Sequence, residues 1–251
     1  MTDREGLKGQ IDALSPMGVR FVARLVEALS SPATAAPGSS WLTEDPEWVE
    51  YFGLVLTAHH GNSTEPLGLK GFEVAFRNAC EAVGWEVSPP GSATERFVDL
   101  TVTTGATVRK LSLKSTAAKD LSATKAHISK LTEAAWIQDQ RSATTRKAAT
   151  LALFQAYRKA VDAILMLRAF RVDGSTPTRY QLIEIPAAIF ASLENAPLSA
   201  FAADGPTIDC AYKGVDPAAR VLLDRSDAKI TVKAIQLASC VVHAEWTLQP
   251  D

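Results

Sequence analysis

The sequence predicts a mixed α/β fold with a three-layer α/β/α core, a mixed central sheet, a helical N-terminal region and a β-rich C-terminal addition. Three features indicate this class. Apolar residues recur with helical spacing in the first third of the chain, strand-like alternation marks its middle, and further strand-like segments occupy its last third. We expect three regions: helices at residues 1–65, the core at 66–200, and a C-terminal β-hairpin extension packed on the core at 201–251.

Three helices are predicted before the central strands. The first spans residues 15–29, where Ser15 precedes a proline and an apolar stripe follows. The second spans 45–61, with Asp45 as its N-cap and a glycine at its end. The third runs from about 66 to 84, and its apolar residues recur every three or four positions. Each helix therefore has one face suited to packing against a sheet.

Residues 97–116, FVDLTVTTGATVRKLSLKST, predict two strands joined by a turn at Gly105. Apolar and polar residues alternate in each strand, and the side chains of a strand alternate between its two faces. Asp99 therefore projects away from the apolar side chains of the first strand, as Ser112 and Lys114 do in the second. If the strands pair, a carboxylate, a hydroxyl and an ammonium converge on one side of a small sheet. We interpret this convergence as a functional site.

The rest of the chain predicts further helices and strands. Helices are expected at about 122–140 and 144–160. Four strands are expected at 163–172, 179–185, 230–237 and 240–248. The first of these is almost entirely apolar, as is typical of a central strand covered on both faces, and should pair with the second. The last two should form an antiparallel hairpin.

The composition favours an intracellular globular protein. The chain has 251 residues, of which 47% are hydrophobic, so it can bury a sizeable core. Cys80, Cys210 and Cys240 are odd in number and far apart, which predicts buried thiols rather than disulfides or a zinc site. No apolar run is long enough to span a bilayer, and no signal-peptide pattern opens the chain. We therefore expect a cytoplasmic protein with no membrane partner.

Charge is distributed unevenly along the chain. The net charge is only −2, but residues 105–147 hold nine Lys and Arg against three Asp and Glu, directly after the predicted site. Residues 1–104 hold seven against fourteen. A basic segment beside a catalytic face suits a polyanionic substrate such as nucleic acid. The alternative is an ordinary solvated helix face, and charge alone does not separate the two.

The arrangement of these residues resembles the PD-(D/E)XK nuclease superfamily. An Asp on one strand is followed, after a hairpin, by an S-x-K triplet on the next, and Glu73 lies on the preceding helix. The resemblance covers roughly residues 66–185. Within the superfamily, the pattern is most similar to that of type II restriction endonucleases. It implies a restriction-endonuclease-like α/β/α core.

Two positions depart from the family pattern. Val98 stands where the family often has proline, which is a common variation. Ser112 stands where the family usually has Glu or Asp, so one metal-binding carboxylate is missing from the triplet. Some enzymes with this pattern recruit a carboxylate from the next helix, and Glu133 is the candidate for that role.

The resemblance implies a Mg²⁺-dependent, site-specific endodeoxyribonuclease that cuts double-stranded DNA as a homodimer, because two nicks on opposite strands need two active sites. Asp99 would be the principal metal ligand, Glu73 or Glu133 would complete the site, and Leu113 would offer its main-chain carbonyl. Lys114 would orient or deprotonate the attacking water and stabilise the developing negative charge. No P-loop is present in the sequence, so no nucleotide cofactor is expected.

Candidates for DNA contact follow the second strand. They are small or basic residues that suit a close approach to phosphate: Ser115, Lys119, Lys125, His127 and Lys130. Ser112 would contribute a hydroxyl or a water-mediated contact. The competing interpretation is a non-catalytic DNA-binding protein on the same fold, with Ser112 marking a decayed site.

Overall fold

The computed structural model describes residues 4–91, 96–171 and 176–248. The helices within these residues are α1 Arg4–Asp12, α2 Pro16–Leu29, α3 Pro46–His60, α4 Leu69–Ala82, α5 Trp136–Asp139 and α6 Ala143–Ala160. The strands are β1 Thr34–Pro37, β2 Glu86–Ser88, β3 Leu100–Thr104, β4 Thr107–Thr116, β5 Lys125–Glu133, β6 Ala163–Phe170, β7 Arg179–Pro186, β8 Thr207–Tyr212, β9 Val215–Asp224, β10 Lys229–Gln236 and β11 Val241–Thr247. Short 3₁₀ segments cover Ala187–Asn195, Leu198–Phe201 and Leu237–Ser239. The fold is mixed α/β.

The strands form two sheets. The larger has seven strands in the order β1-β11-β7-β6-β4-β3-β2. It is mixed, because β4 and β6 run parallel while the other neighbours run antiparallel. The smaller has the order β5-β10-β9-β8 and is antiparallel throughout. Since β1 and β11 both join the larger sheet, that sheet contains both an early and a late segment of the chain.

Helices α3 and α4 cover one face of the larger sheet. Leucine side chains of β3, β4 and β6 pack there against aromatic side chains of the two helices; the main members are Leu100, Leu111, Leu113, Leu165, Trp48, Phe52, Phe72 and Phe76. This packing holds α4 against the strands that carry the predicted site.

The opposite face of the larger sheet packs against α6, the 3₁₀ segment Ala187–Asn195 and the smaller sheet. Ile164, Met166 and Ile183 of the larger sheet belong to this second apolar cluster. The larger sheet is thus buried on both faces, which accounts for the nearly uninterrupted apolar sequence of β6.

The predicted N-terminal helices are confirmed. Helix α2 is capped by the Ser15 side chain, which accepts a hydrogen bond from the Gly18 amide, and α3 is capped in the same way by Asp45. The apolar stripe of α4 is buried as expected, whereas α2 buries none of its residues fully. Hydrophobic periodicity identified these helices because it depends only on local sequence.

The strand pair in residues 97–116 is also confirmed, as is the antiparallel pairing of β6 with β7. The first strand begins at Leu100 rather than at Phe97, whose φ of 78° lies in the left-handed region. Val98 consequently packs in the cluster that contains α6, on the opposite face from Leu100. The expected alternation therefore holds only within the strand proper.

The helix predicted at 122–140 is wrong, because Lys125–Glu133 form strand β5 of the smaller sheet. Ile128 and Leu131 are buried three residues apart, as on a helix, but two exposed residues separate them at a shift of the β5–β10 register. A bulge adds residues to one strand, so it changes the spacing of inward side chains from two to three. Only the short helix α5 follows.

The hairpin predicted from residues 230–237 and 240–248 is also wrong. Strand β10 pairs with β5 and β9 in the smaller sheet, whereas β11 pairs with β1 and β7 in the larger one. A 3₁₀ turn, Leu237–Ser239, joins them. Their closeness in sequence concealed the fact that the chain passes from one sheet to the other.

The described helices include none that is both long enough and apolar enough to cross a membrane. The three cysteines are free thiols; Cys80 and Cys210 are buried and Cys240 is partly buried. Burial raises the pKa of each of these thiols to about 12.

Candidate active site

Asp99 lies immediately before β3, at the point where this strand meets β4. Its amide donates a hydrogen bond to the Leu111 carbonyl at 2.8 Å, which extends the antiparallel ladder by one residue beyond Leu100. The ladder thereby places the Asp99 carboxylate beside residues 112 and 113 of β4.

The Asp99 carboxylate is held through one of its two oxygens. Oδ2 accepts a hydrogen bond from the Leu113 amide at 2.6 Å and another from the Ser112 hydroxyl at 3.1 Å. Hydrogen bonds to a carboxylate are stronger than those between neutral groups, so the side chain is firmly oriented. Among the described residues none donates to Oδ1, which leaves that oxygen free to bind another group.

The Lys114 ammonium is surrounded by oxygen atoms. Nζ donates to the Ser112 hydroxyl oxygen and to the Leu113 carbonyl, both at 2.9 Å, and lies 3.5 Å from Asp99 Oδ2. The Lys114 and Asp99 side chains are 18% and 35% exposed, so the cluster is open to solvent on one side. We refer to Glu73, Asp99, Ser112, Leu113 and Lys114 as the Asp99 cluster.

Ser112 links the members of this cluster. Its hydroxyl donates to Asp99 and accepts from Lys114, and the residue is only 2% exposed. Tyr157 of α6 lies behind it: burial raises the pKa of the tyrosine hydroxyl, and the neighbouring Ser112 partly offsets this effect. A second carboxylate at this position would lose hydration while facing Asp99, so a neutral hydroxyl is the less costly occupant.

Glu73 of α4 is the second acidic group near Asp99. Burial raises the pKa of Glu73, the negative charge of Asp99 raises it further, and the charge of Lys114 opposes the increase. Phe72 and Phe76 anchor α4 in the apolar cluster on either side of Glu73, so the helix holds this carboxyl group near the strand pair.

The oxygen atoms of the Asp99 cluster are of the chemical type that binds Mg²⁺. Asp99 Oδ1, the Leu113 carbonyl and the Glu73 carboxyl group are the hard oxygen ligands that Mg²⁺ prefers. Burial is the main cause of the raised pKa of Glu73, and the charge of Asp99 adds a repulsion that a bound cation would relieve. Residues 4–91, 96–171 and 176–248 contain no group of three or more His, Cys, Asp or Glu arranged to hold a metal. An ion here would therefore take its other ligands from water and substrate.

Glu133 is not brought into the Asp99 cluster. It ends strand β5 of the smaller sheet, its side chain is 81% exposed, and Lys130 binds it at 2.7 Å. The hydrogen bond from Lys130 lowers the pKa of Glu133. The expected approach of Glu133 to Asp99 depended on a helix folding back over the sheet, and a strand occupies this part of the chain instead.

The residues proposed for DNA contact lie in two places. Ser115 is on β4 beside Lys114, and Lys119 is exposed in the segment that follows. Lys125, His127 and Lys130 are exposed on β5. Burial, Lys233 and Lys229 together lower the pKa of His127.

Arg168 connects these two places and was not singled out from the sequence. It lies on β6 opposite Thr116 of β4 and is fully buried. Its guanidinium donates to the carbonyls of Ser122 and Lys125, the latter at 3.1 Å, and to the Gln181 side chain. The sequence signal that could have identified Arg168 is that it is a single arginine in the otherwise apolar strand β6. Arg168 thus anchors the beginning of β5 to the end of the larger sheet that lies just beyond Lys114.

A second polar cluster, which we call the His243 cluster, consists of Ser40, Trp41, Glu184 and His243. Trp41 Nε1 donates to Glu184 Oε2 at 2.9 Å, and His243 Nε2 lies 3.2 Å from the same oxygen. His243 Nδ1 lies 2.7 Å from Ser40 Oγ. A shift of the β7–β11 register makes His243 the extra residue of a bulge, which turns its ring toward Glu184. Because His243 is completely buried, no substrate can reach its ring.

The chain is similar to a known nuclease. It is 27% identical to the type II restriction enzyme SmaI of Serratia marcescens over 209 residues, which cover 80% of this chain and 79% of that protein. No family model matches the chain, and no solved structure matches it. The similarity extends over most of both proteins, and it supports a relationship between this chain and the type II restriction endonucleases.

Proposed function

We propose that this protein is a Mg²⁺-dependent type II restriction endonuclease that hydrolyses phosphodiester bonds of double-stranded DNA at a specific sequence. The observation that carries this proposal is the Asp99 cluster, in which a carboxylate, a main-chain carbonyl and an ammonium converge on two paired strands. The similarity to a type II restriction enzyme supports the same activity. We assign the chain to the PD-(D/E)XK superfamily, with a three-layer α/β/α core, on the same grounds.

Asp99, Glu73 and the Leu113 carbonyl would hold Mg²⁺. When bound, the ion lowers the pKa of a coordinated water and stabilises negative charge on the phosphate. Asp99 would bind through Oδ1, since Oδ2 is occupied by the Leu113 amide and the Ser112 hydroxyl. These two hydrogen bonds keep the carboxylate in one orientation, so little reorganisation is needed when the ion enters.

Lys114 would orient the attacking water and stabilise the negative charge that develops on the phosphate. Its ammonium is positioned by Ser112 and by the carbonyl next to it in sequence. Ser112 thereby acts as a positioning residue rather than a metal ligand: it holds Asp99 and Lys114 at a fixed separation. This role would allow the site to work with a hydroxyl where the family usually has a carboxylate.

We further propose that the enzyme works as a homodimer. Cutting both strands of a duplex at a palindromic sequence requires two active sites related by a two-fold axis. Each chain carries one Asp99 cluster, so two chains supply the two sites.

Incubation of the protein with plasmid DNA and Mg²⁺ tests this proposal. We expect discrete fragments whose ends share one sequence, and no cleavage when Mg²⁺ is replaced by EDTA. The Asp99→Asn variant is the matched control, because it keeps the shape of the side chain and removes its charge. DNA that is bound but left uncut by the parent protein would support the alternative, a DNA-binding protein whose site has decayed at Ser112.

A further inference from the structure

The outer face of the smaller sheet carries a row of cationic side chains. Arg220 of β9 is the cross-strand partner of Lys233 of β10. His127 of β5 lies next to them, because Ile128 pairs with Val232. Lys125 is two residues from His127, on the same exposed side of β5. We call Lys125, His127, Arg220 and Lys233 the basic row.

The charges of the basic row are only partly compensated. Arg220 forms an ion pair with Asp209 at 3.0 Å, but neither Lys125 nor Lys233 has a carboxylate partner among the described residues. Burial and the charges of Lys233 and Lys229 lower the pKa of His127, as expected where cations crowd together. Like charges held close on a rigid sheet repel one another, so an anion bound at the row would be stabilised.

The opposite end of the same sheet is different. Lys229 lies 2.6 Å from Asp227 and 3.8 Å from Asp224, and Lys130 lies 2.7 Å from Glu133. Here each lysine has its own acidic partner. The excess of positive charge is therefore confined to the end of the sheet where β5 begins.

That end adjoins the Asp99 cluster. Thr116 lies two residues after Lys114 on β4 and pairs with Arg168 on β6, whose guanidinium donates to the Lys125 carbonyl at 3.1 Å. The basic row thus begins beside the end of the larger sheet that follows Lys114. A phosphodiester backbone that passes Lys114 can continue across it.

We propose that the basic row binds backbone phosphates of duplex DNA next to the bond that is cleaved, with Lys233 and Lys125 as its main contacts. This inference rests on the proposed nuclease function. Lys233 and Arg220 lie far from residues 105–147 in sequence, and the pairing of β10 with β5 and β9 brings them to the same surface. Phosphate contacts of this kind fix the register of a protein on DNA without reading its sequence.

Binding of a short fluorescein-labelled duplex, measured by anisotropy without Mg²⁺ over about 50–200 mM salt, tests the proposal. The plot of log affinity against log salt has a negative slope. The magnitude of this slope should decrease by roughly one unit for each lost phosphate contact. We therefore expect a decrease of about two units for the variant with both Lys125→Ala and Lys233→Ala. The matched control carries Arg158→Ala and Arg225→Ala, which change the net charge equally but remove arginines that already form ion pairs, with Glu194 and Asp204 respectively; its slope should stay close to that of the parent.

Two results would overturn the inference. Either the first double variant keeps the slope of the parent, or both double variants lower it equally, which would indicate a general effect of net charge. Cleavage by the parent in Mg²⁺ would leave the proposed function intact in either case. Failure of the proposed function looks different: the duplex is bound with a slope that depends on Lys125 and Lys233, yet remains uncut in Mg²⁺.

Discussion

The Asp99 cluster and the His243 cluster contain similar residue types but differ in what surrounds them. In the His243 cluster, Glu184 accepts a hydrogen bond from the Trp41 indole N–H at 2.9 Å and lies 3.2 Å from His243 Nε2. The histidine is completely buried. In the Asp99 cluster, the acidic group faces an ammonium and about a third of its side chain is exposed. In the second arrangement the ammonium lies directly beside the carboxylate, and both groups are partly open to solvent.

This difference separates a structural role from a chemical one. The His243 cluster joins β7, β11 and the segment before α3 through the hydrogen bonds of Trp41 with Glu184 and of His243 with Ser40. The Asp99 cluster leaves one carboxylate oxygen free and directs a main-chain carbonyl at a cation. We therefore expect substitutions in the first cluster to change stability, and substitutions in the second to change activity.

The largest expected effect is the loss of DNA cleavage in Asp99→Ala and Lys114→Ala. Under the proposed mechanism each variant removes a charged group that would stabilise the transition state, so the rate should fall by at least about 10²–10³-fold. Both proteins should remain folded and still bind DNA, because the two side chains are partly exposed. Single-turnover cleavage of plasmid DNA, together with circular dichroism, measures both quantities. Near-normal cleavage by either variant would refute the assignment.

The next largest effect is a loss of stability in Glu184→Ala. This change removes the acceptor of the partly buried Trp41 N–H and the carboxylate that faces the buried His243 ring, which costs about 1–3 kcal/mol. For a protein of this size we expect Tm to fall by roughly 2–10 °C. Cleavage at low temperature should be unchanged per folded molecule. Lost cleavage with an unchanged Tm would contradict the structural role of the His243 cluster.

The pH dependence of this effect sharpens the comparison. Burial alone would raise the pKa of Glu184, but hydrogen bonds from His243 and Trp41 outweigh burial and lower it. The stability that ionised Glu184 contributes should therefore be complete above about pH 4.5 and be lost as the pH falls through the pKa of the folded protein. The difference in free energy of unfolding between the parent and Glu184→Gln should shrink below that pH in urea titrations. A difference that grows in acid would mean that Glu184 is protonated in the folded state.

A smaller effect concerns Mg²⁺ binding in the absence of DNA. The Lys114 ammonium lies among oxygens that would also contact the ion, so the two positive charges compete. Between a divalent and a monovalent cation about 4 Å apart in water, the repulsion is about 2 kcal/mol, which corresponds to roughly 30-fold in affinity before screening by salt reduces it. Isothermal titration calorimetry should show tighter Mg²⁺ binding by Lys114→Met, whereas Lys114→Arg, which keeps the charge, should not gain affinity. Weaker binding by Lys114→Met would show that the lysine supports the ion rather than competing with it.

The sequence predicted the parts of this structure that depend on local pattern. The β3–β4 pair lies within twenty residues, so the local sequence pattern was enough to predict that Asp99, Ser112 and Lys114 lie close together. The bulge in β5 has no such signature, since its apolar spacing of three imitates a helix. Glu133 was expected to lie near Asp99 because that helix would fold back over the sheet. Since the segment is a strand, Glu133 lies elsewhere.

Other features depend on contacts between distant segments. The His243 cluster joins residues that are up to 203 positions apart, through pairing that alternation cannot identify. Lys233 reaches His127 only because β10 pairs with β5 rather than with β11. Sequence pattern indicates which face of a strand is buried, but it does not say which strand will be its neighbour.

The central claim is that Glu73 and Asp99 together hold the ion used by Lys114. Single-turnover cleavage of plasmid DNA by Glu73→Gln and Glu133→Gln over a range of Mg²⁺ concentrations tests it most directly. We predict a large loss for Glu73→Gln that added Mg²⁺ or Mn²⁺ partly restores, and normal cleavage by Glu133→Gln, whose side chain is exposed and paired with Lys130. Normal cleavage by Glu73→Gln, together with a metal-dependent loss in Glu133→Gln, would contradict the account.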